Sequence, residues 1–181
     1  MSLRAKRSNL KIGIASCLPA GRRRPSAPRN DKAFKDAREY AFLLLKFRSR
    51  SAQELRQRLE KKKFTPQAVE ETIGFLKEKK FIDDLSFARA WVTERLKKPF
   101  GLRRIELELR QKGISAPVIE ESLKAAQDGY IEEEIVRGVA KERFSRLEGI
   151  EPQKARRRLY GYLVRRGFSP EIIVGVLENL R

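Results

Sequence analysis

One basic, helical pattern is written three times in this chain, and that repetition restricts the fold more than any other feature. Residues 48–76 read RSRSAQELRQRLEKKKFTPQAVEETIGFL, residues 101–126 read GLRRIELELRQKGISAPVIEESLKAA, and residues 154–180 read KARRRLYGYLVRRGFSPEIIVGVLENL. Aligning Phe64, Ile114 and Phe168 sets spacings of 50 and 54 residues. In that register Leu55 matches Ile105 and Leu159, and Leu59 matches Leu109 and Leu163. Val69 likewise matches Ile119 and Ile173, and Ile73 matches Leu123 and Leu177. Two apolar i, i+4 pairs per copy predict two helices, each burying one face.

The ends of these helices are legible too. Thr65-Pro66 and Ser169-Pro170 place a hydroxyl N-cap before a proline at the first helical position, and Ser115 has Pro117 one place later. Gly113 and Gly167 stand where the preceding helix must end, the usual post for a residue of positive φ. The first copy has Lys63 there, so its turn is expected to be strained or differently closed. A further helical stretch precedes each pair: DAREYAFLLLKF, DLSFARAWVTERL and IEEEIVRGVAKERF. The predicted fold is therefore all-α, a tandem array of three three-helix repeats forming a curved, elongated, solenoid-like molecule. The expected divisions are a basic, disordered tail over 1–33 and repeats over 34–82, 83–130 and 131–181.

Charge follows the repeat. The formal net charge is +18, and residues 1–30 supply +8 of it, with eight Lys and Arg and no acid. The rest is basic in its own right. Residues 46–63 hold eight basic and two acidic side chains, residues 95–112 seven and two, and residues 152–170 six and none. The third helices carry Glu70, Glu71, Glu120, Glu121 and Glu171 near their starts, where a carboxylate suits the positive end of the helix dipole. The basic excess on the middle helices has no such local account. Register aligns Arg103 with Arg157, Arg104 with Arg158, and Lys61 with Arg165. Together with Arg48, Arg50 and Arg110 these are the candidate binding residues, expected to form an outward basic ribbon for phosphates or an acidic protein surface.

Much chemistry is excluded. With no histidine there is no Ser-His-Asp triad and no histidine-bound zinc, and a single cysteine, Cys17, cannot close an internal disulfide. That cysteine usage reads as a reducing compartment. No glycine-rich nucleotide cradle and no run of apolar residues long enough for a membrane helix is present. Asp83-Asp84 reads as a helix cap rather than a metal site, and Trp91 pairs with Phe87 as core. Tyr160 and Tyr162 lie beside arginines, where stacking on nucleic acid stays open. The acid-free tail reads as a disordered basic arm, although an organelle transit peptide shares its composition. No catalytic residue, metal or cofactor is expected.

Three motifs resemble a known family: RSRSAQEL at 48–55, FIDDLSFARAWV at 81–92 and GLRRIELELRQKGI at 101–114. An aspartate pair with Phe-Ala, then glycine, Arg-Ile, Glu-Leu and Gly-Ile, is similar to the pattern of RecX regulatory proteins. Here these are Asp83, Asp84, Phe87, Ala88, Gly101, Arg104, Ile105, Glu108, Leu109, Gly113 and Ile114. The resemblance spans residues 37–180. It implies a cytoplasmic, monomeric protein that engages the groove of the RecA recombinase filament on single-stranded DNA. It further implies inhibition of strand exchange, ATP turnover and filament growth, and so modulation of DNA repair and the SOS response. Lys63 departs from the family glycine, and the tail lies outside the shared region. Two other readings stay open: a direct nucleic-acid binder built of basic three-helix modules, and a scaffold for an acidic protein.

Overall fold

The computed structural model describes residues 31–127 and 129–179. Residues 1–30, with most of the expected basic arm and Cys17, lie outside the described residues. Nine α-helices and no strand occur among the described residues. Repeat 1 comprises α1 (Asp31–Phe47), α2 (Ala52–Lys61) and α3 (Pro66–Glu78). Repeat 2 comprises α4 (Asp84–Leu96), α5 (Leu102–Gln111) and α6 (Ala116–Lys124). Repeat 3 comprises α7 (Glu132–Ser145), α8 (Pro152–Arg165) and α9 (Pro170–Glu178). Helix α1 takes in the last three residues of the stretch read as tail.

Local chemistry sets the helix starts. Ser51 closes α2 in a capping box: its Oγ accepts from the Glu54 amide, and the Glu54 carboxylate accepts from the Ser51 amide. Asp83 caps α4 through the amides of Leu85 and Ser86. Thr65, Ser115 and Ser169 all occupy N-caps with proline in the first turn, but only Thr65 takes an amide proton, from Ala68. Ser169 instead donates its hydroxyl to Glu171. At the other end, α2, α5 and α8 stop at Lys63, Gly113 and Gly167, with φ of +64°, +75° and +83°. The first copy thus closes as the others do, with a lysine held in a conformation that costs about 1–2 kcal/mol for a residue with a Cβ.

Each repeat buries its own core. The first and third helices of each triplet pack together, the middle helix touches both, and every extensive helix–helix contact stays within a repeat. Leu55, Ile105 and Leu159, then Leu59, Leu109 and Leu163, then Val69, Ile119 and Ile173 are all buried, as the register requires. Full burial of one such side chain stabilises by about 1.5–3 kcal/mol. Ile73 and Leu177 are buried as well, whereas Leu123 is half-buried. Beside it Ser122 turns inward and donates to the Val118 carbonyl at 2.7 Å.

One expectation is corrected. Glu70, Glu71, Glu120 and Glu121 lie beyond the first turns of α3 and α6, so the dipole account fits Glu171 alone. Ion pairs engage three of them: Glu70 meets Arg56 of α2 at 2.8 Å, Glu121 meets Arg89 of α4 at 2.7 Å, and Glu120 meets Lys124 at 2.8 Å.

Candidate functional site

The middle helices with their flanks hold eight, seven and six basic residues over 46–63, 95–112 and 152–170, and they meet end to end. The carbonyl of Lys112, just past α5, accepts from the Ser51 hydroxyl at 2.6 Å, at the N-terminus of α2. The carbonyl of Arg166, just past α8, accepts from the Gly101 amide at 2.9 Å, at the N-terminus of α5. Ser51 and Gly101 are equivalent in the register, as are Lys112 and Arg166. The same joint is therefore built twice, each time bringing the negative end of one helix dipole to the positive end of the next. The row runs α8, α5, α2.

Polar side chains lock the first joint. Glu54 accepts from Arg48 at 3.0 Å and from Lys112 at 2.9 Å. Burial acts to raise the Glu54 carboxyl, but the hydrogen bonds from Arg48 and Lys112 outweigh it and hold its pKa down to about 2. Asp84 adds a third tie by accepting from the Ala52 amide at 2.9 Å. The Lys112 ammonium also lies 4.1 Å from the Trp91 ring centroid. Trp91 is half-buried, stacks on Phe87 at 5.9 Å, and donates its indole N–H to Glu108 at 3.1 Å.

The second joint uses close backbone contact and arginine–aromatic packing. A Cβ added to Gly167 would overlap Arg104, and one added to Gly101 would overlap the Gly167 carbonyl. Arg104 donates to the Arg165 carbonyl at 3.1 Å, and Arg166 donates to the Pro99 carbonyl at 3.1 Å. The Phe100 ring has Arg95, Arg104 and Arg166 around it at 5.6, 5.3 and 5.0 Å.

Against this frame the nine candidate residues divide. Arg48 is held by Glu54, and Arg50, partly buried, donates to the Leu44 carbonyl at 3.4 Å. Arg103 faces Glu171 at 3.7 Å, Arg104 lies in the second joint, and Arg110 pairs with Glu106 at 2.5 Å. Lys61, Arg157, Arg158 and Arg165 are exposed and have no ion pair with a described residue. Arg157 borders a cleft against α9, whereas Arg158 and Arg165 border a cleft against α7. The register puts them on one helix; the packing puts them on two flanks. The joint residues Glu54, Lys112 and Phe100 escaped the sequence reading, and Glu108 entered it only as part of the family pattern, with no contact assigned to it. The capping box Ser51-x-x-Glu54 was the one signal available for them.

Family models match the three triplets in order. The first, second and third three-helix domains of RecX match residues 37–76, 83–123 and 131–177. The chain belongs to the RecX family. Regulatory protein RecX of Amycolatopsis mediterranei (strain U-32) is 34% identical over 154 residues, covering 83% of this chain and 87% of the relative. That of Chlorobium phaeobacteroides (strain BS1) is 35% identical over 147 residues, covering 81% and 94%. The crystal structure of RecX from Lactobacillus salivarius shares the fold, with a TM-score of 0.70 at 21% identity over 83% of this chain and 97% of that one. The joints explain how this RecX-family chain accommodates Lys63 where its other two repeats have glycine. A Cβ at Gly113 would overlap Gln53, and one at Gly167 would overlap Arg104, because another repeat docks on each turn. Lys63 stands exposed at the outer end of the row.

Among the described residues no helix is long and apolar enough to cross a membrane, and no group of residues is arranged to hold a metal ion.

Proposed function

We propose that this chain acts by binding, as a RecX-type regulator that engages RecA filaments on single-stranded DNA and restrains their ATP turnover and growth. The observation that supports this reading is the repeated joint between middle helices, which keeps three cationic segments in one row. A filament repeats its protein and phosphate surfaces at a fixed interval. A row of docked repeats can therefore touch several protomers at once, and linked contacts strengthen one another. Attraction to phosphate adds affinity that falls steeply with salt.

The test is RecA ATP hydrolysis on single-stranded DNA, titrated with the full-length chain and with a form beginning at Asp31. Binding of each form to the DNA alone is recorded in parallel. Inhibition by both forms well below one chain per RecA supports action on the filament through the repeats. Inhibition only at amounts that coat the DNA favours a basic nucleic-acid binder competing for the lattice.

A further inference from the structure

The cleft between α7 and α8 differs from the other clefts described in this protein. Its charged lining is wholly cationic, with Arg143, Arg146, Arg158 and Arg165 around a cavity of about 340 Å³. Each of the other four has at least one Asp or Glu in its wall.

Repeat 2 shows what a neutralised version of this cleft looks like. The register Leu109–Leu163 places Glu108 opposite Tyr162 and Arg104 opposite Arg158. Val92 and Ala140, buried on the first helices of their repeats, place Arg95 opposite Arg143. In repeat 2 Glu108 collects both arginines, Arg95 at 2.7 Å and Arg104 at 3.2 Å. In repeat 3 the carboxylate is replaced by a tyrosine. Arg143 stacks on the Tyr162 ring at 3.7 Å from its centroid, and neither Arg143 nor Arg158 has an ion pair with a described residue. Arg165, two turns along α8 from Arg158, has none either, while Arg146 is paired with Glu142 at 2.6 Å.

We propose that this cleft is a phosphate-binding site, in which a phosphoryl group takes the place that Glu108 fills in repeat 2. Stacking occupies the face of the Arg143 guanidinium and leaves its in-plane N–H groups for an anion. Arg158 and Arg165 supply further donors from α8. Arg143, Arg158 and Arg165, gathered without a carboxylate partner, repel one another, and a multiply charged tetrahedral oxyanion both relieves that repulsion and offers acceptors to each. The phosphate comes either from a nucleic-acid backbone or from a free phosphoryl compound. The first source rests on the filament reading above; the cleft itself does not.

Full-length protein is titrated with sodium pyrophosphate and, separately, with an oligothymidylate, in salt of about 0.15 M to damp nonspecific attraction. Three variants accompany the wild type. Tyr162→Glu rebuilds the repeat 2 arrangement, Arg165→Gln removes an exposed donor, and Tyr162→Phe keeps the stacked ring. Circular dichroism checks that each is folded. Tyr162→Glu and Arg165→Gln are expected to weaken phosphate binding about tenfold or more, with Tyr162→Phe unchanged. Loss seen with the oligonucleotide identifies a backbone phosphate; loss seen with pyrophosphate alone identifies a free phosphoryl ligand. Wild-type affinity for both probes in folded Tyr162→Glu and Arg165→Gln overturns the proposal, as does a wild type that binds neither. RecA ATPase inhibition by the same variants is read separately, so failure of the cleft and failure of the filament reading give different results.

Discussion

Gly101 and Gly167, in adjacent repeats, meet backbone to backbone: the Gly101 amide donates to the Arg166 carbonyl at 2.9 Å, and a Cβ on Gly101 would overlap the Gly167 carbonyl. Replacing Gly167 with alanine both strains a φ of +83° and drives a methyl into Arg104. Gly167→Ala is expected to cost about 2 kcal/mol or more in thermal or urea unfolding. Gly74→Ala, inside α3 with open space around it, should instead gain about 0.5–1 kcal/mol. Equal effects at the two positions would mean that the joint is not close-packed.

Lys63 adopts the left-handed conformation in an exposed turn, whereas a Cβ at Gly113 or Gly167 would meet another repeat. Lys63→Gly should raise stability by about 1 kcal/mol through release of backbone strain, read as a higher urea midpoint. A fall in the midpoint would contradict the strain.

Acid should loosen the first joint. The Glu54 carboxyl has a folded pKa of about 2, below its ordinary 4.5. A depressed carboxylate pKa contributes stability that is complete above the unfolded value and is lost as pH falls through the folded one. Unfolding free energy should therefore drop between about pH 4.5 and pH 2, by on the order of 2–3 kcal/mol from this group. Glu54→Gln should remove that part of the acid dependence, visible as a shallower stability–pH profile. A profile identical to wild type would sink the assignment.

Thr72 is fully buried, and its hydroxyl has no hydrogen-bond partner among the described residues. The equivalent positions are Ser122, which donates to a carbonyl, and the buried Val176. Thr72→Val is expected to stabilise by about 1 kcal/mol, since it removes an unsatisfied polar group at nearly constant shape. Calorimetry gives the answer directly.

Arg103 and Arg157 share a register position, and each lies on the side of its helix near α9. Under the filament reading, Arg103→Glu combined with Arg157→Glu should weaken RecA inhibition about tenfold or more while helicity is kept. Undiminished inhibition by the folded double variant would remove this flank from the interface.

The sequence by itself determined the period, the caps and turns of the repeated helices and all but one of the buried register positions, Leu123 being half-buried. Leu55, Ile105 and Leu159 could be assigned to cores because the 3.6-residue repeat of a helix makes apolar spacing a direct record of the buried face. Caps and left-handed turns are equally local, so Thr65, Gly113 and even the anomaly at Lys63 could be read from their neighbours. The tertiary structure alone decided what the outward residues meet. Ser51 reaches Lys112 and Arg104 reaches Arg165, each across 61 positions of chain. Periodicity gives a side chain's angle about its own helix but not the element that stands opposite. That is why nine basic residues, six of them aligned by the register, looked like one ribbon, whereas packing uses some as joints, pairs others with acids, and sets Arg157 and Arg158 on different flanks of one helix.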